Sequence, residues 1–282
     1  MSERRTYIDD TVDAIFQGKN HRRLVLQEAE RRIFEEMGAL FETALSSRYE
    51  SEEWWKQRLI RENLDKRQVV WFGGMNFKTI GNTFGSTRLE LCREVCLENV
   101  DAISDLLKDL PEDFPTPKVT FLWKGQSVKL TERESFLLIR SVAAMVRTVG
   151  AGIWSEVGKQ AGDKFLRTLF MKLGIPEGPL SAFSSKGLHY ELNIEEKGRA
   201  IDAVIYHEGK TVLGIEFKIL GAGNPEIVDE AISRLGEGDV FLVDAITPLM
   251  TRKTEERGIR VVLLKDAYSE LLKLLRDKGY KI

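Results

Sequence analysis

Three charged residues interrupt the apolar strands of one predicted β-hairpin. Two runs rich in Val and Ile, residues 200–206 and 211–220, are separated by a short polar turn, which is typical of two antiparallel strands. Asp202 lies in the first run, and Glu216 and Lys218 lie in the second. Buried strands rarely carry charges unless the charges are paired or bind a metal. These three residues are therefore the first candidates for chemistry.

The chemistry that fits these residue types is metal-assisted hydrolysis of a phosphodiester. Side chains alternate along a strand, so Glu216 and Lys218 share a face at a spacing of about 7 Å. The opposite face is apolar and can pack, since it carries Leu213, Ile215, Phe217 and Ile219. The carboxylates of Asp202 and Glu216 suit Mg²⁺, which polarises a phosphoryl oxygen and lowers the pKa of a bound water. Lys218 can orient that water or stabilise the negative charge that develops during attack.

A purely structural explanation of the same residues is open. A Glu-x-Lys pair is common on solvent-facing edge strands, and Asp202 could cap a turn. Chemistry is favoured because an acid on the preceding strand accompanies the pair and because the opposite face is apolar.

A shared metal site also constrains the register of the hairpin. Residues that pair directly in antiparallel strands lie on one face, so Asp202 and Glu216 share a face only if paired positions sum to an even number. A three-residue loop that pairs Tyr206 with Lys210 meets this condition and places Asp202 opposite Gly214. A bulge that restores the same parity would also meet it. A regular two-residue turn would place the two carboxylates on opposite faces.

The hairpin resembles the PD-(D/E)xK nuclease superfamily, in which an acid on one strand precedes acid-x-Lys on the next. The usual Pro before the first acid is Ile201 here. The segment Gly-Ala-Gly-Asn-Pro-Glu at 221–226 is similar to the segment after the catalytic Lys in CfrBI-like type II restriction endonucleases. The resemblance extends over residues 154–264.

This resemblance implies a type II restriction endonuclease that cleaves double-stranded DNA with Mg²⁺ and leaves a 5′-phosphate. Asp202 and Glu216 would be the metal ligands, and Lys218 would position the attacking water. A homodimer on a palindromic, CCWWGG-type site and a companion DNA methyltransferase are also implied, since two-fold protein symmetry mirrors two-fold DNA symmetry. The helix before the first core strand often supplies another acid in this superfamily. Glu156 and Asp163 are the candidates, although both could be ordinary surface residues.

Two other functions are compatible with the same residues. One is a structure-specific repair or recombination nuclease, which would read the shape of DNA. The other is a nucleic-acid-binding module without chemistry, although such a module has no need of charges within an apolar hairpin.

The elements around the hairpin predict an α/β fold. The periodicity of apolar residues predicts helices over residues 21–44, 54–65, 88–110, 131–149, 154–173, 225–235, 247–257 and 267–278. Strands are predicted over residues 119–123, 127–130, 188–194, 240–246 and 260–264, besides the hairpin. The resemblance implies that the later strands form a PD-(D/E)xK restriction-endonuclease-like mixed sheet flanked by helices.

Three prolines at 111–117 indicate a domain boundary. Residues 1–110 are then a mainly helical N-terminal region, a candidate for DNA recognition or dimerisation. Residues 118–282 are the catalytic domain. Residues 1–18 are predicted to form a short helix or arm.

A stretch with four glycines at 69–88 is the candidate for base recognition. It matches neither a P-loop nor a dinucleotide fingerprint. Asn76, Lys78, Asn82 and Arg88 could contact base edges from a flexible loop. The alternative is a tight hairpin with aromatic packing.

Composition and charge argue against a protein that binds nucleic acid through its net charge alone, against a secreted protein and against a membrane-spanning one. The chain of 282 residues has 42 basic and 44 acidic residues and a net charge of −2, so any DNA-binding surface must concentrate positive charge locally. The sequence has no secretory signal and no apolar run of about 18 residues, which predicts a cytoplasmic protein without a membrane span. Cys92 and Cys96 follow an apolar helical stripe and are expected in the core rather than in a zinc site.

Overall fold

The computed structural model divides the chain into two compact units. The first unit comprises Met1–Gln27 and Trp154–Ile282, and the second comprises Glu28–Ile153. The proline-rich stretch 111–117, where the sequence indicates a boundary, lies inside the second unit. The structure describes residues 6–47, 53–60, 64–123, 125–179, 187–196, 199–219 and 225–282.

Over most of the chain, the helices and strands occur in the order that the periodicity of apolar residues predicts. The helices are α1 (Tyr7–Phe16), α2 (Arg22–Ser47), α3 (Trp54–Ile60), α4 (Lys66–Phe72), α5 (Phe77–Phe84), α6 (Leu89–Lys108), α7 (Glu132–Lys172), α8 (Pro225–Arg234), α9 (Pro248–Glu255) and α10 (Ala267–Asp277). The strands are β1 (Thr120–Trp123), β2 (Gln126–Lys129), β3 (Leu188–Glu196), β4 (Arg199–His207), β5 (Lys210–Lys218), β6 (Val240–Val243) and β7 (Arg260–Leu263). A short 3-10 helix, Leu264–Asp266, joins β7 to α10.

The second unit is mainly helical, with one small hairpin of β1 and β2. Cys92 and Cys96 are fully buried in its core, which confirms the prediction from the apolar stripe. Burial raises the pKa of the Cys96 thiol to about 12, so this thiol is an apolar packing group.

The glycine-rich stretch at 69–88 forms helices, so the predicted flexible loop or hairpin is wrong. Asp65 begins α4 with a capping box, and the Asn76 side chain begins α5 by accepting a hydrogen bond from the Thr79 N–H at 2.9 Å. Gly74 and Gly85 have φ values of 64° and 67° and end the helices rather than interrupt them. Capping groups and apolar spacing therefore outweigh the number of glycines here.

The helices predicted over 131–149 and 154–173 are one helix, α7. The predicted capping box at its start is present: the Thr131 hydroxyl accepts from the Glu134 N–H at 3.2 Å, and the Glu134 carboxylate accepts from the Thr131 N–H at 2.7 Å. The glycines at 150 and 152 each lower helix propensity by about 1 kcal/mol but leave the backbone bonding intact. Within the described chain α7 is long and apolar enough to cross a membrane by length and composition alone. Core helices of soluble proteins pass the same test.

The first unit is built on a five-stranded mixed sheet in the order β3-β4-β5-β6-β7. The first three strands are antiparallel, and β5, β6 and β7 are parallel. On one face α7 approaches closely, since the Phe165 and Phe217 rings lie 5.2 Å apart and a Cβ at Gly162 would lie 2.9 Å from the Phe217 ring. On the other face α8 and α9 pack on β6 through a buried cluster that includes Phe241. The predicted mixed sheet between helices is therefore present.

Candidate active site

The turn between β4 and β5 contains two residues rather than the predicted three. Glu208 and Gly209 have φ values of 50° and 76°, and His207 pairs with Lys210 across them. Positive φ at both central residues is typical of a type I′ turn, whose twist matches that of two antiparallel strands. By itself, this turn would place Asp202 on the wrong face.

A β-bulge then changes the parity of the hairpin. The register shifts between Ile205 and Tyr206, so that Ala203 pairs with Ile215 further along. The alternative that a bulge restores the required parity is confirmed, whereas the three-residue loop is wrong. Extending the observed register by one pair places Asp202 across from Glu216, not across from Gly214 as the loop predicted.

Asp202 takes part in the hydrogen bonding between the two strands. Its Oδ2 accepts a hydrogen bond from the Phe217 N–H at 2.8 Å. The side chain thus binds a backbone group next to Glu216. This contact fixes the carboxyl group of Asp202 beside the carboxyl group of Glu216 and leaves it half-buried.

Glu216 is completely buried and has two cationic neighbours. Its Oε2 lies 3.6 Å from the Lys218 Nζ, and its Oε1 lies 3.5 Å from an Arg234 guanidinium nitrogen. Oε2 has no hydrogen-bond partner among the described residues. The three residues of the sequence motif are thus brought together on one face of the sheet.

The two cations do not fully offset the burial of Glu216. Burial and the negative charge of Asp202 raise the pKa of the Glu216 carboxyl from 4.5 to about 8, and a hydrogen bond with Asp202 adds to the increase. Lys218 and Arg234 lower this pKa by smaller amounts. At neutral pH the site therefore needs further positive charge, or a proton, for Glu216 to remain buried.

Glu216 should make the metal-free protein less stable as the pH rises. A carboxyl whose pKa is higher in the folded than in the unfolded chain holds its proton more tightly when folded, so its contribution is complete below about 4.5 and is lost as the pH passes through about 8. Glu216→Gln keeps the shape and removes this titration. In EDTA, the free energy of unfolding from urea denaturation should fall by a few kcal/mol more in the wild type than in Glu216→Gln between pH 5 and 9. If the free energy of unfolding depends on pH equally in the two proteins, Glu216 is not a buried carboxyl with a raised pKa.

A cleft of about 310 Å³ opens beside Asp202 and Lys218. It is lined by Gly158, Lys159, Gly162, Asp163, Leu166, Asn193, Asp202, Phe217, Lys218 and Ile219. Asp163 accepts a hydrogen bond from the Asn193 amide at 3.3 Å, so one candidate acid of α7 does lie in the cleft. The other, Glu156, instead accepts a hydrogen bond from the Tyr7 hydroxyl at 3.0 Å.

Asn193 is the residue of β3 that faces Asp202 in the register. Its neighbours pair as Leu192 with Ala203 and Ile194 with Ile201, while Asn193 itself has a φ of 53°. A left-handed non-glycine residue inside a strand costs free energy, and such residues are enriched at functional sites. It turns the Asn193 amide towards the cleft rather than into the ladder.

Arg234 is the site residue that sequence reasoning missed. It lies in the last turn of α8 and forms ion pairs with both Glu216 and Glu230. An arginine beside an apolar stripe on a helix is ordinary in sequence. The register of α8 over the sheet, which aims this side chain at Glu216, has no local sequence signal.

The oxygen ligands of the site fit a divalent cation. Asp202 and Glu216 supply two neighbouring carboxyl groups whose charges interact, and Glu216 Oε2 is a buried acceptor without a donor among the described residues. Within the described part of the chain, no group of three or more His, Cys, Asp and Glu is arranged to hold a metal. A cation here would take its remaining ligands from water and substrate, as Mg²⁺ usually does.

The residues predicted to read bases lie in the second unit. Lys78 and Asn82 are exposed one helical turn apart on α5, and Arg88 is exposed immediately before α6. Asn76 has a structural function as the cap of α5. Contact of these residues with DNA stays a prediction. Residues 221–224 of the segment after Lys218, and the predicted helix start at Ser51, lie outside the described residues.

Comparison with known proteins gives one family. Residues 5–251 match the family model described as CfrBI restriction endonuclease. No curated protein and no solved structure matches the chain.

Proposed function

The chain belongs to the CfrBI restriction endonuclease family, and on that premise we propose that it is a type II enzyme that hydrolyses double-stranded DNA at a short specific site with a divalent cation. The observation that carries the proposal is the convergence of Asp202, Glu216 and Lys218 on one face of the sheet, beside an open cleft. A restriction endonuclease needs such a group of charges at an accessible edge, and the cleft supplies the access.

Each residue has a proposed part in the reaction. Asp202 and Glu216 would hold the cation, preferably Mg²⁺, because their carboxyl oxygens are hard ligands. When bound, such a cation polarises a phosphoryl oxygen and lowers the pKa of a water. The Lys218 side chain is 28% exposed and its Nζ lies 3.6 Å from Glu216 Oε2. Its ammonium group can donate hydrogen bonds both to the attacking water and to a phosphate oxygen. Water loses a proton to solvent and forms a bond to phosphorus as the bond to the 3′-oxygen breaks. The 3′-oxygen takes up a proton, so the products are a 3′-hydroxyl and a 5′-phosphate.

Arg234 is proposed to hold the Glu216 carboxylate from behind. Its ion pair with Glu230 anchors the guanidinium group, so that the contact with Glu216 Oε1 keeps the other oxygen, Oε2, directed to Lys218. This arrangement would prevent Glu216 from rotating away when substrate or cation is absent.

The family also guides the finer features of the proposal. A type II restriction enzyme of this family would act as a homodimer on a palindromic site, with CCWWGG-type sequences as the first candidates. It would also have a companion DNA methyltransferase. Lys78, Asn82 and Arg88 remain the proposed base-reading residues.

Digestion of plasmid DNA tests the function directly. With Mg²⁺ or Mn²⁺ the protein should produce discrete fragments that share one end sequence, and EDTA should abolish them because Asp202 and Glu216 then lack the cation. Sequencing of the ends gives the site and the cut position. Smeared or structure-dependent products would favour a repair-type nuclease. Binding of DNA without any cleavage over a range of divalent cations and sequences would favour a module without chemistry.

A further inference from the structure

A second cleft of about 500 Å³ lies in the first unit. It is formed where the turn before α2 meets the carboxyl ends of β6 and β7, and its lining includes Lys19, His21, Arg22, Asp244 and Lys265. Ligands of open α/β sheets bind at the carboxyl ends of parallel strands. We refer to this cavity as the basic cleft.

A buried carboxylate holds the arginine of the basic cleft in place. Asp244 is 4% exposed, and its Oδ2 accepts a hydrogen bond from an Arg22 guanidinium nitrogen at 2.8 Å. The Arg22 side chain is 48% exposed, so most of its donors remain available in front of the ion pair. The ion pair with Asp244 therefore orients the Arg22 guanidinium group, and the Arg22 side chain remains accessible to solvent.

Two lysines extend the positive charge around Arg22. Lys19 and Lys265 are exposed, and the Lys265 side chain runs past Gly18, where a Cβ would lie 3.6 Å from its Cδ. No ion pair of either lysine occurs within the described ranges. Of the residues that line the basic cleft, only Asp244 is acidic, and it lies beneath Arg22.

The start of α2 strengthens the attraction for an anion. This helix of 26 residues has no acidic residue in its first turn, and Arg22 and Arg23 occupy it instead. Cations are unfavourable at the positive end of a helix dipole, whereas anions are favourable there. A phosphate bound in the basic cleft would interact favourably with both the helix end and Arg22.

A residue that lines the basic cleft carries a buried atom without a hydrogen-bond partner in the described chain. His21 is 8% exposed, and its Nε2 has no hydrogen-bond partner among the described residues. It lies 3.8 Å from the Asp244 Oδ2, which is too far for a hydrogen bond. A ligand oxygen in the basic cleft could accept a hydrogen bond from this nitrogen.

The basic cleft is connected to the candidate active site through one residue. His21 lies beside the backbone of Ile219, which follows Lys218 directly and lines the cleft beside Asp202. Phosphates of one DNA strand succeed each other every 3.4 Å or so along the helix axis. If the scissile phosphate lies at Lys218, a phosphate further along the same strand is the ligand that the chemistry of the basic cleft suits.

We propose that the basic cleft binds a backbone phosphate of the DNA substrate close to the scissile phosphate, with Arg22, Lys19 and Lys265 as its cationic ligands. The inference rests on the proposed function, since it takes DNA as the substrate. It explains how a chain with a net charge of −2 holds a polyanion: the positive charge is concentrated beside the reacting group. Arg22 gives a directed contact, and the lysines act as point charges.

The salt dependence of DNA binding tests the basic cleft. The double variant Lys19→Gln/Lys265→Gln should reduce the magnitude of the slope of log K against log [NaCl] by up to about 1, because one phosphate contact contributes about 0.9. The matched control is Lys210→Gln/Lys278→Gln, two exposed lysines at the opposite end of the sheet, where Tyr280 contacts His207. Its slope should equal that of the wild type. Binding is measured by fluorescence anisotropy of a labelled duplex in EDTA, so that cleavage does not interfere.

The outcomes separate this inference from the function on which it rests. An unchanged slope in Lys19→Gln/Lys265→Gln, with normal DNA binding and cleavage by the wild type, overturns the basic cleft alone. Equal loss in both double variants also overturns it, because the effect is then one of total charge. A wild-type protein that binds DNA but never cleaves it contradicts the nuclease function, while the slopes still decide the basic cleft. A wild-type protein that does not bind DNA overturns both.

Discussion

Lys218→Gln should lower the single-turnover rate of DNA cleavage by about 10²–10⁴-fold. Glutamine keeps part of the side chain but removes the charge that faces the attacking water and the phosphate. The same change removes a cation that lowers the pKa of Glu216, so Glu216 should also be protonated over a wider pH range and hold a divalent cation less well.

Lys253→Gln is the matched control for this prediction. Lys253 is also 28% exposed and is also paired with one carboxylate, that of Asp229, but it lies on α9 outside the cleft. It should keep the wild-type rate. Thermal unfolding of both variants checks that the fold is retained, and a rate within about tenfold of wild type in a folded Lys218→Gln protein would refute the part given to this lysine.

Asp202→Asn and Glu216→Gln should each abolish both cleavage and tight binding of a divalent cation. Each amide retains an oxygen but loses the negative charge that offsets the cation. Since the two carboxyl groups act on one cation, the double variant should be little worse than either single variant, as is usual for groups that act as a unit. Glu216→Gln should fold at least as well as wild type at alkaline pH, because it avoids a buried charge.

Calorimetric titration with Mg²⁺ and Mn²⁺, beside cleavage assays, measures these effects. Asp163→Asn is the informative comparison, since Asp163 lines the same cleft but accepts a hydrogen bond from Asn193. This variant should lose much less cleavage activity and cation affinity than Asp202→Asn or Glu216→Gln. If Asp202→Asn and Glu216→Gln bind the cation as wild type does, the shared site is wrong even if activity falls.

The candidate site was largely accessible from sequence because it depends on strand alternation. The charges at 202, 216 and 218 could be assigned to strands from their apolar neighbours alone, and the period of two fixes which side chains share a face. Parity required either an odd loop or a bulge, and the choice between them depended on the turn. The structure has a two-residue turn at Glu208 and Gly209 with a bulge after it.

What sequence did not predict depends on competition between local signals or on tertiary packing. The glycine-rich stretch forms α4 and α5 because Asp65 and Asn76 cap them, and α7 continues through residues 150–153, between the two helices that were predicted there. Arg234 meets Glu216 only because α8 packs over the sheet at one particular rotation. The basic cleft joins residues of the first 22 positions to Asp244, and no spacing in the sequence encodes such a contact.

The two-segment composition of the first unit fixes when it can be completed during synthesis. The Arg22 side chain meets Asp244, 222 positions later in the chain, so at about 5–20 residues per second the ribosome takes roughly 10–45 s to supply that partner. The unit formed by Glu28–Ile153 is translated in between and can fold first. Growing chains that already contain Lys218 but lack β6 and β7 leave β5 without its parallel neighbours. The proposed active site on β5 therefore lacks its complete sheet until β6 and β7 have been synthesised.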